Sequence, residues 1–304
     1  MSISEKQLHY FTVRVNRTVP LQSGSGTENA DREDYRDTSC VLALPASYDP
    51  AGEPVPIILF AHGYGGYVTA DTWRELEKGE GGLTAWFVEQ GFAVFDVDNT
   101  TGSLTGKCDL GCPQLLESYR KAWQKIRREY NVQDRYLIYS VSFGTFTAMN
   151  LMVHEASQVK AACMTGCRFS VKTVFDRGTY NQQIARCFGF EDPSGGTWEP
   201  DKLTGFDPYS LICLRTGFDP EWGWTRPLRT GTEVLPLQLP PVKAMVSTGD
   251  PRELKEAVRA LRALQHAGNE LHLRVVEGLN HSEICGVSVG ELREEVRMWF
   301  ERFI

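Results

Sequence analysis

The twelve residues Tyr136-Leu137-Ile138-Tyr139-Ser140-Val141-Ser142-Phe143-Gly144-Thr145-Phe146-Thr147 decide the fold of this chain. The first six are apolar, aromatic or small and read as a buried strand, Tyr136 to Val141. A helical stretch, Phe143 to Glu155, follows with no intervening loop. A strand that turns straight into a helix lifts the residue at the turn clear of the sheet, and here that residue is Ser142. The turn needs small residues two before and two after it. Gly144 meets the second demand and Ser140 stands at the first. A plainer reading keeps Ser142 as an ordinary helix N-cap.

Outward from that stretch, strand-like and helix-like segments alternate. His9 to Val15 and Ser39 to Leu44 alternate apolar and polar residues and read as antiparallel edge strands. Pro56 to Ala61 is a continuous apolar run, as expected of a strand covered on both faces. Thr72 to Gln90 is helical in part, broken at Gly79 to Gly82. Strand Phe92 to Val97, helix Pro113 to Tyr130 and strand Val159 to Thr165 continue the rhythm. It resumes after residue 239 with strand Val242 to Ser247, helix Pro251 to Ala267, strand Leu271 to Val276 and helix Val289 to Phe303. Such alternation predicts an α/β fold, a mostly parallel sheet with helices on both faces. In such sheets ligands bind beyond the carboxyl ends of the strands, so the loops that follow strands are the place to look.

A serine hydroxyl is a weak nucleophile and needs a base that a third group orients. Of six histidines, His281 alone lies in a short polar loop after a strand and before the last helix. His9 and His272 fall on strands, His154 and His266 near helix ends, and His62 in the loop after Pro56 to Ala61. Strand Val242 to Ser247 leads to Gly249-Asp250-Pro251, and Asp250 precedes His281 by one helix and one strand. Asp250 could equally be only an N-cap for the helix that Pro251 opens. The loop His62-Gly63-Tyr64-Gly65-Gly66 can aim backbone N–H groups at a developing oxyanion. The candidate donors are the amides of Phe143 and Tyr64, with that of Gly65 second to Tyr64. Neither G-K-[ST] nor G-x-G-x-x-G is present, so the loop is no standard phosphate or dinucleotide cradle. A glycine-rich turn without a catalytic role is the plain alternative.

Taken together, His62-Gly63-Tyr64-Gly65-Gly66, Ser140-Val141-Ser142-Phe143-Gly144, Gly249-Asp250-Pro251 and Asn280-His281 resemble the α/β-hydrolase superfamily. The resemblance covers residues 56 to 304 and leans toward cutinases and dienelactone-hydrolase-like esterases. It implies an eight-stranded sheet, a Ser142–His281–Asp250 triad and no cofactor. Ser140 departs from the glycine usual there. Gly249-Asp250-Pro251-Arg252 is also similar to prolyl-oligopeptidase-type peptidases, which usually carry a propeller domain for which this sequence has no room. The function implied is a carboxylic-ester hydrolase. Its rivals are a serine peptidase with the same triad and a non-catalytic binding protein of this fold.

Residues 168 to 239 break the rhythm and are expected to form a cap inside a single domain of residues 1 to 304. The stretch carries Phe169, Phe175, Tyr180, Phe188, Phe190, Trp198, Phe206, Tyr209, Phe218, Trp222 and Trp224. These could wall a pocket for an aromatic or carbohydrate-borne ester, or simply give the insertion its own core.

The net charge of −7 and the lack of a basic stripe argue against nucleic acid. No run of about 18 apolar residues predicts a membrane span. Met1 to Val19 lacks the pattern of a secretory signal, which makes a cytoplasmic location the expectation. The eight cysteines are then expected to be free thiols without a metal site, although a local Cys108–Cys112 disulfide stays open. Oligomeric state is not readable from the sequence.

Overall fold

The computed structural model describes residues 8–16, 35–64, 82–98, 110–216, 237–286 and 290–304. Eight strands form one sheet: β1 (Leu8–Asn16), β2 (Tyr35–Ala43), β3 (Ile57–Ala61), β4 (Ala93–Val97), β5 (Tyr136–Val141), β6 (Val159–Thr165), β7 (Val242–Ser247) and β8 (Leu271–Val276). Their order is β1-β2-β4-β3-β5-β6-β7-β8. Strands β1 and β2 are antiparallel, β2 meets β4 antiparallel, and every later pairing is parallel. The helices are α1 (Leu83–Glu89), α2 (Pro113–Glu129), α3 (Gly144–His154), α4 (Val171–Asp176), α5 (Asn181–Phe188), α6 (Pro208–Thr216), α7 (Pro251–His266), α8 (His281–Gly286) and α9 (Gly290–Glu301).

Burial explains why the central strands read as unbroken apolar runs. Every residue of β3, β4 and β5 is buried, because helices cover both faces of the sheet. One face packs under α2, α3 and α7 through residues such as Ile57, Phe95, Ile138, Trp123, Phe146 and Leu261. The other packs under α1 and α9 through Ile58, Tyr139, Phe87, Trp299 and Phe300. The edge strand β8 is buried at only one position, Leu271. Among the described residues no helix is long and apolar enough to cross a membrane, and no His/Cys/Asp/Glu cluster could hold a metal ion.

The structure departs from the sequence reading in three places. Strand β2 begins at Tyr35 rather than Ser39, because its ladder with β1 runs on to Asn16↔Tyr35 through polar residues, with an Arg14–Asp37 ion pair across the two strands. About half of the aperiodic insertion, where described, is helical. Helices α4, α5 and α6 and a 3₁₀ turn at Pro200–Leu203 are too short to show a period in sequence. The insertion's apolar residues, among them Phe169, Val171, Phe175, Ile184, Phe188 and Phe190, join the same core as α2 and α3. The remaining difference is a short helix, α8, where a plain loop is expected. Asn280 and Glu283 build a reciprocal capping box there: Glu283 N donates to Asn280 Oδ1 at 3.0 Å and Asn280 N to Glu283 Oε2 at 2.7 Å.

Cys112 is a buried free thiol, and Cys108, the other half of the local disulfide left open by the sequence, lies outside the described residues. Also outside them are Gly65, Gly66, the first part of the helix expected over 72–90, and Phe218, Trp222 and Trp224.

Register places the functional loops on one side. Ala61 pairs with Ser140, Val141 with Thr165, Thr165 with Met245 and Ser247 with Val276. Strands β3, β5, β6, β7 and β8 therefore end level with one another, and their following loops meet above the sheet. The tightest packing in that region is at Gly144. A Cβ there would lie 1.9 Å from the carbonyl oxygen of Ala61 and 2.8 Å from that of His62, both rigid backbone. Gly144→Ala is expected to destabilise the protein by at least about 2 kcal/mol through overpacking. Gly290→Ala, where a Cβ meets nothing within 4 Å, should change stability by less than about 1 kcal/mol. Urea titrations of the two variants check this. A Gly144→Ala midpoint equal to wild type would show that the backbone crossing is not as tight as described.

Candidate active site

Ser142 sits between β5 and α3 with φ of 51°, in the left-handed region that L-residues seldom occupy. Strained backbone of this kind persists only when its surroundings hold it. Here Ser142 N donates to Thr165 O at 3.0 Å, and Thr145 N closes a turn back onto Ser142 O at 3.1 Å. The N-cap position of α3 is Phe143, and no side chain caps that helix. The hydroxyl of Ser142 is therefore not spent as a cap. It points instead at His281, with Oγ 2.8 Å from Nε2.

The other ring nitrogen of His281, Nδ1, lies 2.5 Å from Asp250 Oδ2. Asp250 occupies the N-cap position of α7, yet its side chain caps nothing in the helix. The plain reading of Asp250 as a cap is thus not what the structure contains. Gly249 makes the approach of the two loops possible, since a Cβ there would fall 2.4 Å from Leu279 O. Ser247 Oγ donates to the same carbonyl at 2.6 Å and accepts from Gly249 N at 3.1 Å, tying the loop after β7 to the loop after β8. His281 itself is the first residue of α8, held by the Asn280–Glu283 box.

Asp250 can fix the imidazole tautomer with the proton on Nδ1, which leaves Nε2 free to accept the serine proton. Burial pushes the His281 pKa below its ordinary value, and the neighbouring Arg168 cation pushes it further down. The hydrogen bond and charge of Asp250 oppose both effects. The imidazole is therefore neutral, the form a general base needs, to lower pH than a free histidine.

The two candidate oxyanion donors belong to the residue after Ser142 and to the loop after β3. The amide of Phe143 is at the N-terminus of α3, where a helix has no carbonyl of its own to offer. Tyr64 follows Gly63 at the end of the β3 loop. A Cβ on Gly63 would come within 3.2 Å of Ser142 Cβ, so this loop passes directly against Ser142. The rings of Tyr64 and Phe143 both meet Tyr180 of the insertion edge-on, at 5.1 and 5.3 Å between centroids. Tyr180 is the insertion aromatic that these contacts bring to the site. Phe169, Phe175, Phe188 and Phe190 are core.

Two further groups escaped the sequence reading. His62, taken there only as part of a glycine-rich loop, is buried, with Nδ1 2.8 Å from Asp96 Oδ2. Asp96 also accepts from Tyr119 Oη at 2.8 Å and from Val97 N at 2.7 Å. Burial, and after it the Asp96 carboxylate, raises the Tyr119 pKa and keeps its phenol protonated. This network braces the residue before Gly63 against β4 and α2. The second group is Arg168, which the sequence marks only as the first residue of the insertion. Its Nη2 lies 3.1 Å from His281 Nδ1, 3.4 Å from Nε2 and 3.6 Å from Asp250 Oδ2. It too follows a strand, β6, and the rule that brought out Ser142, Asp250 and His281 would have flagged it.

The remaining histidines lie elsewhere. His9 packs edge-on to Tyr130, His154 bonds Gly205 O at 2.9 Å, His266 ends α7 and His272 sits on Trp299.

No family model matches the chain, and no curated protein matches it. Solved structures do. An esterase from Thermogutta terrifontis, Est2, solved with propionate bound, is 18% identical with a TM-score of 0.56, covering 88% of this chain and 90% of that one. A dienelactone hydrolase from Anabaena variabilis is 13% identical with a TM-score of 0.52, covering 98% and 99%. An acylaminoacyl peptidase from Pyrococcus horikoshii is 12% identical with a TM-score of 0.62, covering 99% of this chain, which spans only 42% of the peptidase. At such identities the likeness is one of architecture. That architecture is common to the esterase, the dienelactone hydrolase and the peptidase alike: this chain has the α/β-hydrolase fold.

Proposed function

We propose that the protein is a carboxylic-ester hydrolase that works through an acyl-enzyme on Ser142. The observation that carries this reading is the unbroken relay Asp250 Oδ2–His281 Nδ1 and His281 Nε2–Ser142 Oγ, at 2.5 and 2.8 Å. In the proposed reaction Ser142 Oγ attacks the ester carbonyl while His281 Nε2 takes its proton. Asp250 stabilises the imidazolium that forms. The amides of Phe143 and Tyr64 hold the oxyanion, and losing such a donor typically costs about 2.7–4 kcal/mol of transition-state stabilisation. His281 then protonates the leaving alcohol, and water, activated by the same base, releases the acid. None of these steps draws on a cofactor.

The insertion over 168 to 239 acts in this reading as a cap over the acyl side of the site. Tyr180, Tyr64 and Phe143 form an aromatic wall beside the nucleophile. Such a wall suits an aromatic or carbohydrate-borne ester. The peptidase alternative is favoured by the higher TM-score of the acylaminoacyl peptidase. In support of the ester reading, an esterase and a dienelactone hydrolase are each matched along nearly their whole length.

Assays with p-nitrophenyl esters from acetate to octanoate, a feruloyl ester and an amide counterpart test the reading. Wild type should hydrolyse one or more of the esters, and Ser142→Ala should lose at least about a thousand-fold in kcat, as when a triad nucleophile is removed. Equal activity of the two proteins would remove Ser142 from the reaction, and turnover of the amide alone would make the protein a peptidase. The pH profile has a definite sign as well. Because burial and Arg168 disfavour the imidazolium, the acid limb of kcat/KM should reach its midpoint below 6.5, the ordinary histidine value. A midpoint above that value would contradict the electrostatics of the site.

A further inference from the structure

Arg168 stands in the loop between β6 and α4 and is buried, with a relative exposure of 8%. Its Nη2 is nearly equidistant from the two nitrogens of His281, at 3.1 and 3.4 Å. Both nitrogens are already engaged, Nδ1 by Asp250 and Nε2 by Ser142. In the ring plane, an atom at those distances from both nitrogens would overlap Cε1, which lies between them, so Nη2 stands over the face of the ring. There a guanidinium meets the π-cloud of a neutral imidazole favourably and the positive charge of an imidazolium unfavourably. The same Nη2 is 3.6 Å from Asp250 Oδ2, so one carboxylate serves both cations when His281 is protonated.

We propose that Arg168 is a positioning residue that clamps the face of His281 and holds this histidine in its neutral, proton-accepting form. The inference rests on the triad reading of Ser142, His281 and Asp250. Its neighbours agree with a fixed clamp. Cys285, on the same short helix as His281, comes within 3.6 Å of Nε2 from another side, and Gly166 leaves no room for more, since a Cβ there would lie 2.5 Å from Cys285 Sγ and 3.2 Å from His281 Cε1. The loop carrying Arg168 is itself pinned, because Glu256 of α7 accepts from Ser170 N at 2.9 Å and from Thr173 Oγ1 at 2.7 Å. Among the described residues, the charged and titratable groups facing His281 are Asp250 from the β7 loop, Arg168 from the β6 loop and Cys285 from α8, while Arg177 and Glu256 act on Arg168. Burial and Arg168 together lower the histidine's pKa against the pull of Asp250.

The arrangement has a chemical consequence. A base protected from protonation keeps working in mildly acidic conditions, in exchange for some of its basicity. Deep burial also sets Arg168 apart from a residue that grips substrate, which would present its charge to the open side of the site.

The test compares wild type with Arg168→Gln, Arg168→Met and Arg168→Lys. Two rates are followed across pH: kcat/KM on the best p-nitrophenyl ester, and inactivation by phenylmethanesulfonyl fluoride, which needs no substrate preference. The ratio of the rate at about pH 5 to that at about pH 8 should fall roughly five- to ten-fold in the Gln and Met variants, the size expected when a close positive charge is removed from a titrating imidazole. Arg168→Lys should recover part of that ratio. An unchanged ratio in the neutral variants would overturn the proposal while leaving the triad reading in place. So would a KM increase confined to acidic substrates, or failure of both neutral variants to fold. A wild type that neither turns over esters nor reacts with the sulfonyl fluoride at any pH would defeat the triad reading, and this inference with it.

Discussion

The site depends on a steric constraint in the backbone where α3 begins beneath the end of β3. Gly144 passes so close to the carbonyls of Ala61 and His62 that no side chain fits between them. That crossing forces the chain to turn sharply at Ser142, whose φ of 51° is the local record of it. The same crossing brings Gly63 against Ser142 and so sets the neighbouring Tyr64 close to it. Two backbone segments some eighty residues apart in sequence, 61–64 and 142–144, are thereby locked together before any side-chain chemistry is considered. The strain this costs is held by the buried strands β3 and β5 and by the Asp96–His62–Tyr119 network behind them.

Electrostatics then divides the work among the loops. Asp250 favours a charged His281, while burial and Arg168 favour a neutral one. A base balanced between these influences can both take a proton from a hydroxyl and return it to a leaving group. Such opposed influences on one titratable group are typical of functional sites and uncommon in packing alone. Among the site's aromatic groups, Phe143, Tyr64 and Tyr180 contribute surface rather than charge, each touching the other two edge-on.

Much of this arrangement is legible in the sequence because it follows from strand ends. Ser142, Asp250 and His281 each lie just beyond a strand whose apolar run is plain, and a parallel sheet brings such ends together. The absence of a glycine at 140 proved no obstacle, since serine is small enough to be buried in β5 beside Ala61 and Met164. What the sequence hides are contacts made across long separations by residues with ordinary local roles. Arg168 opens an aperiodic stretch and meets His281 113 positions later. His62 finds Asp96 on a neighbouring strand, where a lone acidic residue inside Ala93-Val94-Phe95-Asp96-Val97 gives no local sign of its partner. The helices of the insertion are hidden for another reason. Each is nine residues or fewer, and the aromatics that obscure their periodicity are spent on a core shared with α2 and α3. Asn280-x-x-Glu283 was legible in principle as a capping box, and it moves His281 from a loop onto the first turn of a helix.

The most direct test of the central claim is to treat the folded protein with a fluorophosphonate and map the adduct by peptide mass spectrometry. The account predicts a single phosphonylated serine at Ser142, with labelling lost in His281→Ala although that variant remains folded. Label on any other serine, or undiminished labelling of Ser142 without His281, would contradict it.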